Sequence, residues 1–339
     1  ETVTRLSLGM DMSLWQNRLN LSFNYYKSFV DHMLTLKTLG GVSGLRNYWS
    51  NDGKMENQGF DISVTAKVLA LKDFSWEISA GLGHYKNEVT ALPDGDKPVY
   101  TSLYGGEVVT QVGGPVGLFY GYKTQGVFST SEDAAFAGLR DGRADGDVFR
   151  GGDMHFADLV ADGVIDEKDK TVIGDPNPDI FGNFGTSLHY KNWTLNAFFS
   201  YSLGNDIYNY QRAVLEGGST YYNQTTAVLN RWTSEGQVTE IPRAELGDPM
   251  GNSRFSDRWI EDGSYLKLKT LSLSYRIPFN YTFLQGITVW AAANNVFTCT
   301  KYLGSDPELS ISSSAVGQGI DRGLLGRGRS FVLGVKINL

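Results

Sequence analysis

The sequence predicts an all-β protein whose strands form part of a transmembrane antiparallel β-barrel. Apolar side chains alternate with polar ones along about nine or ten segments, which is the two-residue period of a strand with one apolar face. Each segment is about 9 to 11 residues or longer, the length that a tilted strand needs to cross a bilayer. Short polar turns alternate with long connections, an asymmetry typical of bacterial outer-membrane barrels.

The first two segments show the alternation in its simplest form. Over residues 6–14, Leu and Met alternate with Ser, Gly and Asp. Over residues 19–25, Leu, Phe and Tyr alternate with Asn and Ser. Residues 16–18 between them are polar and form a short turn. The two segments therefore predict a hairpin with one apolar face and one polar face.

The same pattern recurs along the rest of the chain, at residues 60–68, 74–82, 184–190, 193–201, 266–275, 287–293 and 331–339. Short turns are predicted at residues 71–73 and 191–192, and a phase slip near Thr270 predicts a β-bulge. In the last segment the alternation predicts that Phe331, Leu333, Val335, Ile337 and Leu339 face lipid. The same alternation places Val332, Gly334, Lys336 and Asn338 on the lumen side.

The connections on one side of the predicted barrel are long, and polar or rich in glycine. We expect them to be extracellular loops of residues 1–339, at about 28–56, 87–115, 129–180, 202–263 and 299–328. A soluble β-sandwich would also alternate, but it rarely repeats such long loops. Aromatic residues also lie near the strand ends, where amphipathic rings prefer the boundary of lipid and water. These are Trp15, Tyr25, Tyr26, Trp76, Tyr85, Tyr190, Trp193, Tyr201 and Tyr275.

Composition excludes several classes of function. The net charge of -7 argues against nucleic acid, whose phosphates need a basic face. The single cysteine, Cys299, cannot form an internal disulfide and is expected to be a passive thiol in a strand. No stretch reaches the roughly 18 to 20 apolar residues of a spanning helix. No nucleophile elbow, metal spacing of histidines or phosphate-binding loop occurs, so the chain is not predicted to be an enzyme.

One loop is similar to an EF-hand calcium loop, which places oxygen ligands at positions 1, 3, 5, 7, 9 and 12 and glycine at 6. Acidic side chains at positions 1, 5, 9 and 12 and a carbonyl at 7 would supply these ligands: Asp158, Asp162, Asp166, Asp169 and Val164. Gly163 occupies position 6, and Ile165 provides the apolar residue at position 8.

Two features of this loop depart from the calcium pattern. Val160 at position 3 offers no side-chain oxygen, and Asp169 is shorter than the usual bidentate glutamate. The loop is therefore either a Ca²⁺ site or an Asx-rich turn without metal. The missing ligand favours the turn, because a hard cation needs about six oxygens.

Several segments together resemble the SusC/RagA-type TonB-dependent transporters of the Bacteroidetes outer membrane. In order, the segments are GGPVGLFYGYKTQGVF (113–128), DGVID (162–166), IGDPNPD (173–179), SDRWIEDGSYLKLK (256–269), NNVFT (294–298) and the strand 329–339. Their order and spacing extend from about residue 50 to the C-terminus. The family usually has Asn where Val160 stands, which weakens the calcium assignment.

The resemblance implies that the chain is the C-terminal portion of a 22-stranded barrel, without the N-terminal plug. An unpaired edge strand in lipid is not viable. We therefore expect the remaining plug and barrel segment in the same protein or in a separate chain. The start at Glu1, without a signal peptide, is expected of a fragment or a cleaved chain. The resemblance further implies a TonB complex acting through that segment, and a SusD-like surface lipoprotein at the extracellular mouth.

The expected function is TonB-dependent import of oligosaccharides or peptides across the outer membrane. The alternative is a SusC-like barrel with a structural role in an envelope assembly or secretion complex. A soluble β-rich protein that binds or hydrolyses carbohydrate is the weakest hypothesis. Substrate contacts are expected from the loops, whose tyrosines serve packing at least as often: Tyr104, Tyr120, Tyr208, Tyr221 and Tyr222.

Overall fold

The computed structural model of the chain describes residues 1–38, 44, 47–143, 146–278, 286–311 and 314–338. The described residues form strands and three α-helices, with bounds as follows: β1 (Thr2–Leu14), β2 (Leu19–Thr38), β3 (Asn47–Ala70), β4 (Phe74–Ala91), α1 (Pro93–Asp96), β5 (Val99–Leu103), β6 (Gly106–Thr110), β7 (Leu118–Tyr122), β8 (Thr124–Val127), α2 (Ser131–Ala137), β9 (Arg140–Asp141), β10 (Met154–Phe156), β11 (Val164–Ile165), β12 (Lys170–Gly174), β13 (Ile180–Tyr190), β14 (Trp193–Leu203), β15 (Asp206–Asn209), α3 (Tyr210–Glu216), β16 (Ile260–Asp262), β17 (Tyr265–Ile277), β18 (Gly286–Thr300), β19 (Ile320–Asp321) and β20 (Ser330–Asn338). Short 3₁₀ turns lie at Glu167–Asp169, Thr226–Asn230, Asp257–Trp259 and Ala315–Gly317. Within these ranges no helix has both the length and the apolar character that a membrane crossing requires.

Nine long strands form one antiparallel sheet, which we call the wall. Their order is β1-β2-β3-β4-β13-β14-β17-β18-β20, and every segment with predicted alternation lies in one of them. The predicted turns are confirmed, since residues 15–18, 71–73 and 191–192 separate consecutive wall strands. Leu339, predicted to face lipid, lies outside the described residues. The wall strand β18 contains Cys299, a free and exposed thiol.

The phase slip near Thr270 is a β-bulge. Phe198 on β14 pairs with Thr270, but Phe199 pairs with Leu268, so Lys269 is the extra residue. The register between β17 and β18 shifts at the same place. The bulge lets Leu268, which is buried, and Leu271, which is exposed, lie on the same face of β17, although a regular strand would point them to opposite faces.

The predicted loop at 28–56 is shorter in the structure, which corrects the sequence-based boundary. β2 continues to Thr38, and β3 begins at Asn47. The outward face of these strands becomes charged beyond the apolar segments: Lys27 pairs with Glu56 at 2.8 Å and Lys54 pairs with Asp31 at 3.1 Å. Main-chain pairing continues there, but the alternation of apolar and polar residues does not, and the sequence pattern therefore missed it.

The other four predicted connections contain folded elements rather than irregular loops. Residues 92–179, 204–264 and 301–329 carry the short strands and helices, and we call them the loop layer. Their strands form separate small sheets, ordered β5-β6-β7-β12, β8-β10, β9-β11 and β16-β15-β19. One buried cluster comprises Tyr122, Phe128, Ala134, Leu139, Phe149, Met154, Phe156, Ile165 and Met250. A second comprises Val108, Phe119, Tyr208, Trp259 and Ile320. The loop layer therefore has apolar cores of its own.

Candidate functional site

A cavity of about 450 Å³ lies where the loop layer meets the polar face of the wall, and we call it the mouth cavity. Wall residues at the ends of β14 and β17 line one side, among them Ser202, Tyr265 and Lys269. The loop layer supplies the other sides, through residues 176, 178, 205, 207, 306–310, 318–319 and 327. Both polar groups and proline rings therefore face this space.

Buried charges fix the wall side of the mouth cavity. The ammonium of Lys267 lies 2.7 Å from a carboxylate oxygen of Asp306 and 2.8 Å from one of Glu308. The Tyr265 hydroxyl donates to Glu308 at 3.1 Å, and Lys269 also pairs with Glu308. Burial alone would raise the pKa of Glu308, but hydrogen bonds from the two lysines prevail and lower it. The cluster therefore holds the segment after β18 against the wall.

A tight turn of residues 175–179 closes another side of the mouth cavity. Asp206 accepts the main-chain N–H of Asp175 at 2.9 Å, and the Gln318 amide donates to the carbonyl of Pro176 at 3.0 Å. Burial raises the pKa of Asp206, and the charges of Asp175, Asp262 and Asp179 raise it further. The surroundings of Asp206 beside the mouth cavity therefore disfavour its ionised form.

The five loop tyrosines divide between packing and exposure. Tyr208 is 3% exposed, and its hydroxyl donates to the Tyr104 carbonyl at 2.9 Å. Tyr120 packs on Tyr100, with ring centroids 5.1 Å apart, and burial, with a hydrogen bond to Tyr100, raises its pKa to about 12. Tyr221 and Tyr222 are 89% and 72% exposed. Only the last two therefore present most of their rings to solvent among these five.

The predicted calcium loop forms a turn held by its own main chain. Asp158 accepts the N–H groups of Ala161 at 2.6 Å, Asp162 at 3.3 Å and Gly163 at 2.8 Å. Desolvation is the largest single influence and would raise the pKa of Asp158, but these hydrogen bonds, with one from Asp169, together lower it. Its carboxylate therefore acts as the internal acceptor of an Asx-type turn.

The remaining acids of this loop are also engaged. Asp162 accepts the N–H of Val164 at 3.0 Å, and Asp166 and Asp169 form a reciprocal capping box around the 3₁₀ turn. Lys168 lies 3.6 Å from Asp162 and 3.4 Å from Asp166. In the described part of the chain no three acidic, histidine or cysteine side chains converge as a metal site would require. This geometry favours the turn, and calcium binding stays a prediction.

Comparison with known proteins gives relatives along nearly the whole chain. No family model matches it. It is 34% identical to the TonB-dependent receptor P3 of Formosa agariphila, over 99% of this chain and 34% of the relative. It is 25% identical to the TonB-dependent receptor SusC of Bacteroides thetaiotaomicron, over 99% of this chain and 32% of the relative. The chain thus spans about a third of the length of these relatives.

A solved structure shows the same fold. The RagAB peptide importer in its closed-closed state superposes with a TM-score of 0.78 at 24% identity, covering 99% of this chain and 35% of that chain. A second structure, of the RagAB peptide transporter, gives 0.77 at 23% identity, covering 99% of this chain and 35% of that chain. The wall and the loop layer are therefore arranged as in these transporters.

The wall, with one apolar and one polar face, has the fold of the antiparallel sheet in the RagAB transporter structures. The matches also confirm the resemblance to the SusC/RagA-type TonB-dependent transporters that the sequence motifs indicate. Proteins of this class are outer-membrane β-barrels, which agrees with the predicted location. Their names describe receptors and importers, in agreement with the prediction that the chain is not an enzyme.

Proposed function

We propose that this chain is the wall and loop layer of a SusC-like transporter that imports oligosaccharides or peptides in a TonB-dependent manner. The observation that carries the proposal is the mouth cavity, a polar space between the wall and a folded loop layer. Such a space suits a solute that enters the barrel from outside. The similarity to the RagAB peptide importer supports the same proposal.

The proposal includes a SusD-like lipoprotein at the mouth, in addition to the lipid around the wall. Support comes from apolar side chains in the 218–246 segment, which stand largely exposed: Tyr221, Tyr222, Leu229 and Val238. Contiguous exposed apolar patches mark protein-binding surfaces, and we propose that these side chains contribute to one. A plug and a segment that engages the TonB complex would complete the transporter, and no nucleic acid is involved.

Deletion of the gene in its native host tests import. We expect slower growth on at least one oligosaccharide or peptide source, restored by the intact gene. Growth on monosaccharides and free amino acids should not change, because the proposed import concerns oligosaccharides and peptides. Undiminished growth on every source would overturn the proposal. If the same strain lost surface or secreted proteins, the structural role would be favoured instead.

A further inference from the structure

A second cavity, of about 340 Å³, lies within the loop layer and apart from the mouth cavity. It opens between the sheet of β6, β7 and β12 and two segments that carry Arg143 and Arg254. Tyr120 and Tyr122 line it from β7. Gly105 forms part of its rim with φ of +72°, and the space where a side chain would begin is open.

Arg254 is an unusually buried cation. Its side chain is 7% exposed, and its guanidinium lies 5.0 Å from the ring centre of Tyr122 and 4.4 Å from that of Phe156. Nε donates to the Gly251 carbonyl at 3.0 Å, and Nη2 donates to the Met250 carbonyl at 2.8 Å. Nη1 has no hydrogen-bond partner among the described residues. A buried N–H without an acceptor is costly, so this guanidinium is incompletely compensated.

The charges beside Arg254 leave this end of the cavity positive. The buried Asp141 pairs with Arg143 at 2.6 Å and with Arg254 at 3.2 Å, so two guanidinium groups share its single negative charge. Asp248 also influences Arg143, but it accepts hydrogen bonds from the main-chain N–H groups of Asn252 and Ser253. Burial lowers the pKa of Arg254 and the charge of Arg143 lowers it further, although Asp141 acts in the opposite direction.

At the opposite end of the cavity, two glutamates offset the positive charge of Lys170. Lys170 lies 3.1 Å from Glu107 and also pairs with Glu167. An anion would therefore be repelled from the Lys170 end and drawn to the arginine end. Arg143 is the accessible group there, because its side chain is 43% exposed, while Arg254 contributes charge from behind.

We propose that this cavity is a carboxylate-binding subsite, in which Arg143 holds a ligand's carboxylate and the aromatic ring of Tyr120 contacts its body. Nε and Nη2 of Arg143 already donate to Asp141 and the Pro249 carbonyl, so Nη1 is the group that would donate a charged hydrogen bond to the ligand's carboxylate. A tyrosine face suits a sugar ring or a peptide unit. The inference rests on the proposed import function and narrows its substrates to those with an acidic group. That group is a uronate of an oligosaccharide or a carboxylate of a peptide.

Calorimetry on the intact, detergent-solubilised protein tests the subsite with matched probes. Trigalacturonate is compared with its methyl ester, and trialanine is compared with its C-terminal amide. We expect one acid to bind at least about tenfold more tightly than its neutral partner, the effect of one charged hydrogen bond. The pair that shows the difference identifies the source of the carboxylate. If neither acid is preferred, the proposal is overturned.

Substitutions in the cavity test whether the preference for the acid over its neutral partner arises there. Arg143→Gln should remove the preference for the acid, and Arg254→Met should weaken it. Because Arg254 is buried, its variant is interpreted only where its thermal midpoint matches the wild-type value. Arg150→Gln is the control, since Arg150 is exposed and does not line the cavity. Retention of the preference in Arg143→Gln would overturn the assignment. Import itself is judged by gene deletion, so the subsite can fail while import stands.

Discussion

Lys267 and Asp306 form a buried ion pair, 2.7 Å between Nζ and Oδ2, that joins a wall strand to the loop layer. Replacing Lys267 with Met would leave the carboxylates of Asp306 and Glu308 without this cation. Loss of one partner from a buried pair costs about 3–5 kcal/mol. We therefore expect a clearly lower thermal midpoint of the intact protein and faster proteolysis of residues 301–311.

The exposed ion pair of Lys86 and Glu88, at 2.7 Å, provides the control. Lys86→Met should leave both measurements unchanged, because exposed pairs contribute little. If the two substitutions lowered the thermal midpoint and accelerated proteolysis equally, the burial of the Lys267 pair would not account for its contribution to stability. In that case the segment after β18 would be held by other contacts.

The lowered pKa of Glu308 predicts how the attachment of the segment after β18 to the wall depends on pH. Its folded-state pKa lies below the ordinary value of 4.5, because hydrogen bonds from Lys267 and Lys269 outweigh the effect of burial. A lowered carboxyl pKa stabilises the fold above pH 4.5, and this contribution is lost as the pH falls through the folded-state pKa. The thermal midpoint of Glu308→Gln should therefore lie below wild type at pH 7. The difference should shrink towards pH 3, and a constant difference would contradict the prediction.

The raised pKa of Asp206 predicts a pH dependence of stability opposite to that of Glu308. Burial and neighbouring carboxylates raise its pKa above the ordinary 3.8, so its contribution to stability falls as the pH rises through that range and is unfavourable at pH 7. Asp206→Asn keeps an acceptor for the N–H of Asp175 and removes the charge. We expect a higher thermal midpoint at pH 7 and no gain near pH 3.

The matched control is Asp262→Asn. Hydrogen bonds from Ser264 lower the pKa of Asp262, so this substitution should lower the midpoint at pH 7. If both substitutions changed the midpoint in the same direction, the charges around Asp206 would not explain its effect.

The sequence predicts the wall well because one physical demand recurs in every strand. Each strand presents one face to lipid and one to a polar space, so the two-residue period appears directly in the residues, as in Phe331–Ile337. The bulge at Lys269 could also be predicted, because Leu268 and Leu271 can share a face only if the period slips. Beyond Tyr25 the outward face is charged, and there the alternation ends although strand β2 continues.

The loop layer could not be predicted in the same way. Its cores combine side chains from short, distant segments, such as Phe128, Phe156 and Met250, which leave no local period. The Asp-rich loop is recognisable as a unit from the sequence, but whether its acids bind a cation or the main chain depends on their orientation. The positive cavity leaves no local signal in the sequence, since Arg143 and Arg254 are distant in sequence and share Asp141 only in the folded chain.

Substitution of Asp158 and of Asp162 distinguishes an Asx-type turn from a calcium site in the Asp-rich loop. Asp158 accepts three main-chain N–H groups, whereas Asp162 accepts one. We expect Asp158→Ala to lower the thermal midpoint more than Asp162→Ala, with calcium and chelator giving the same result. A midpoint that rises with calcium in the wild type and not in Asp162→Ala would instead establish the metal site.

Leu333 tests the orientation of the wall in the membrane. Its side chain is 84% exposed on β20, opposite Ala291 of β18, and the neighbouring Val332 lies on the polar face. An arginine on the lipid face near the bilayer centre costs about 2–4 kcal/mol. Leu333→Arg should therefore reduce the folded, heat-modifiable form of the intact protein in isolated outer membranes. Val332→Arg should be tolerated, and greater loss from Val332→Arg would mean that the two faces are assigned the wrong way round.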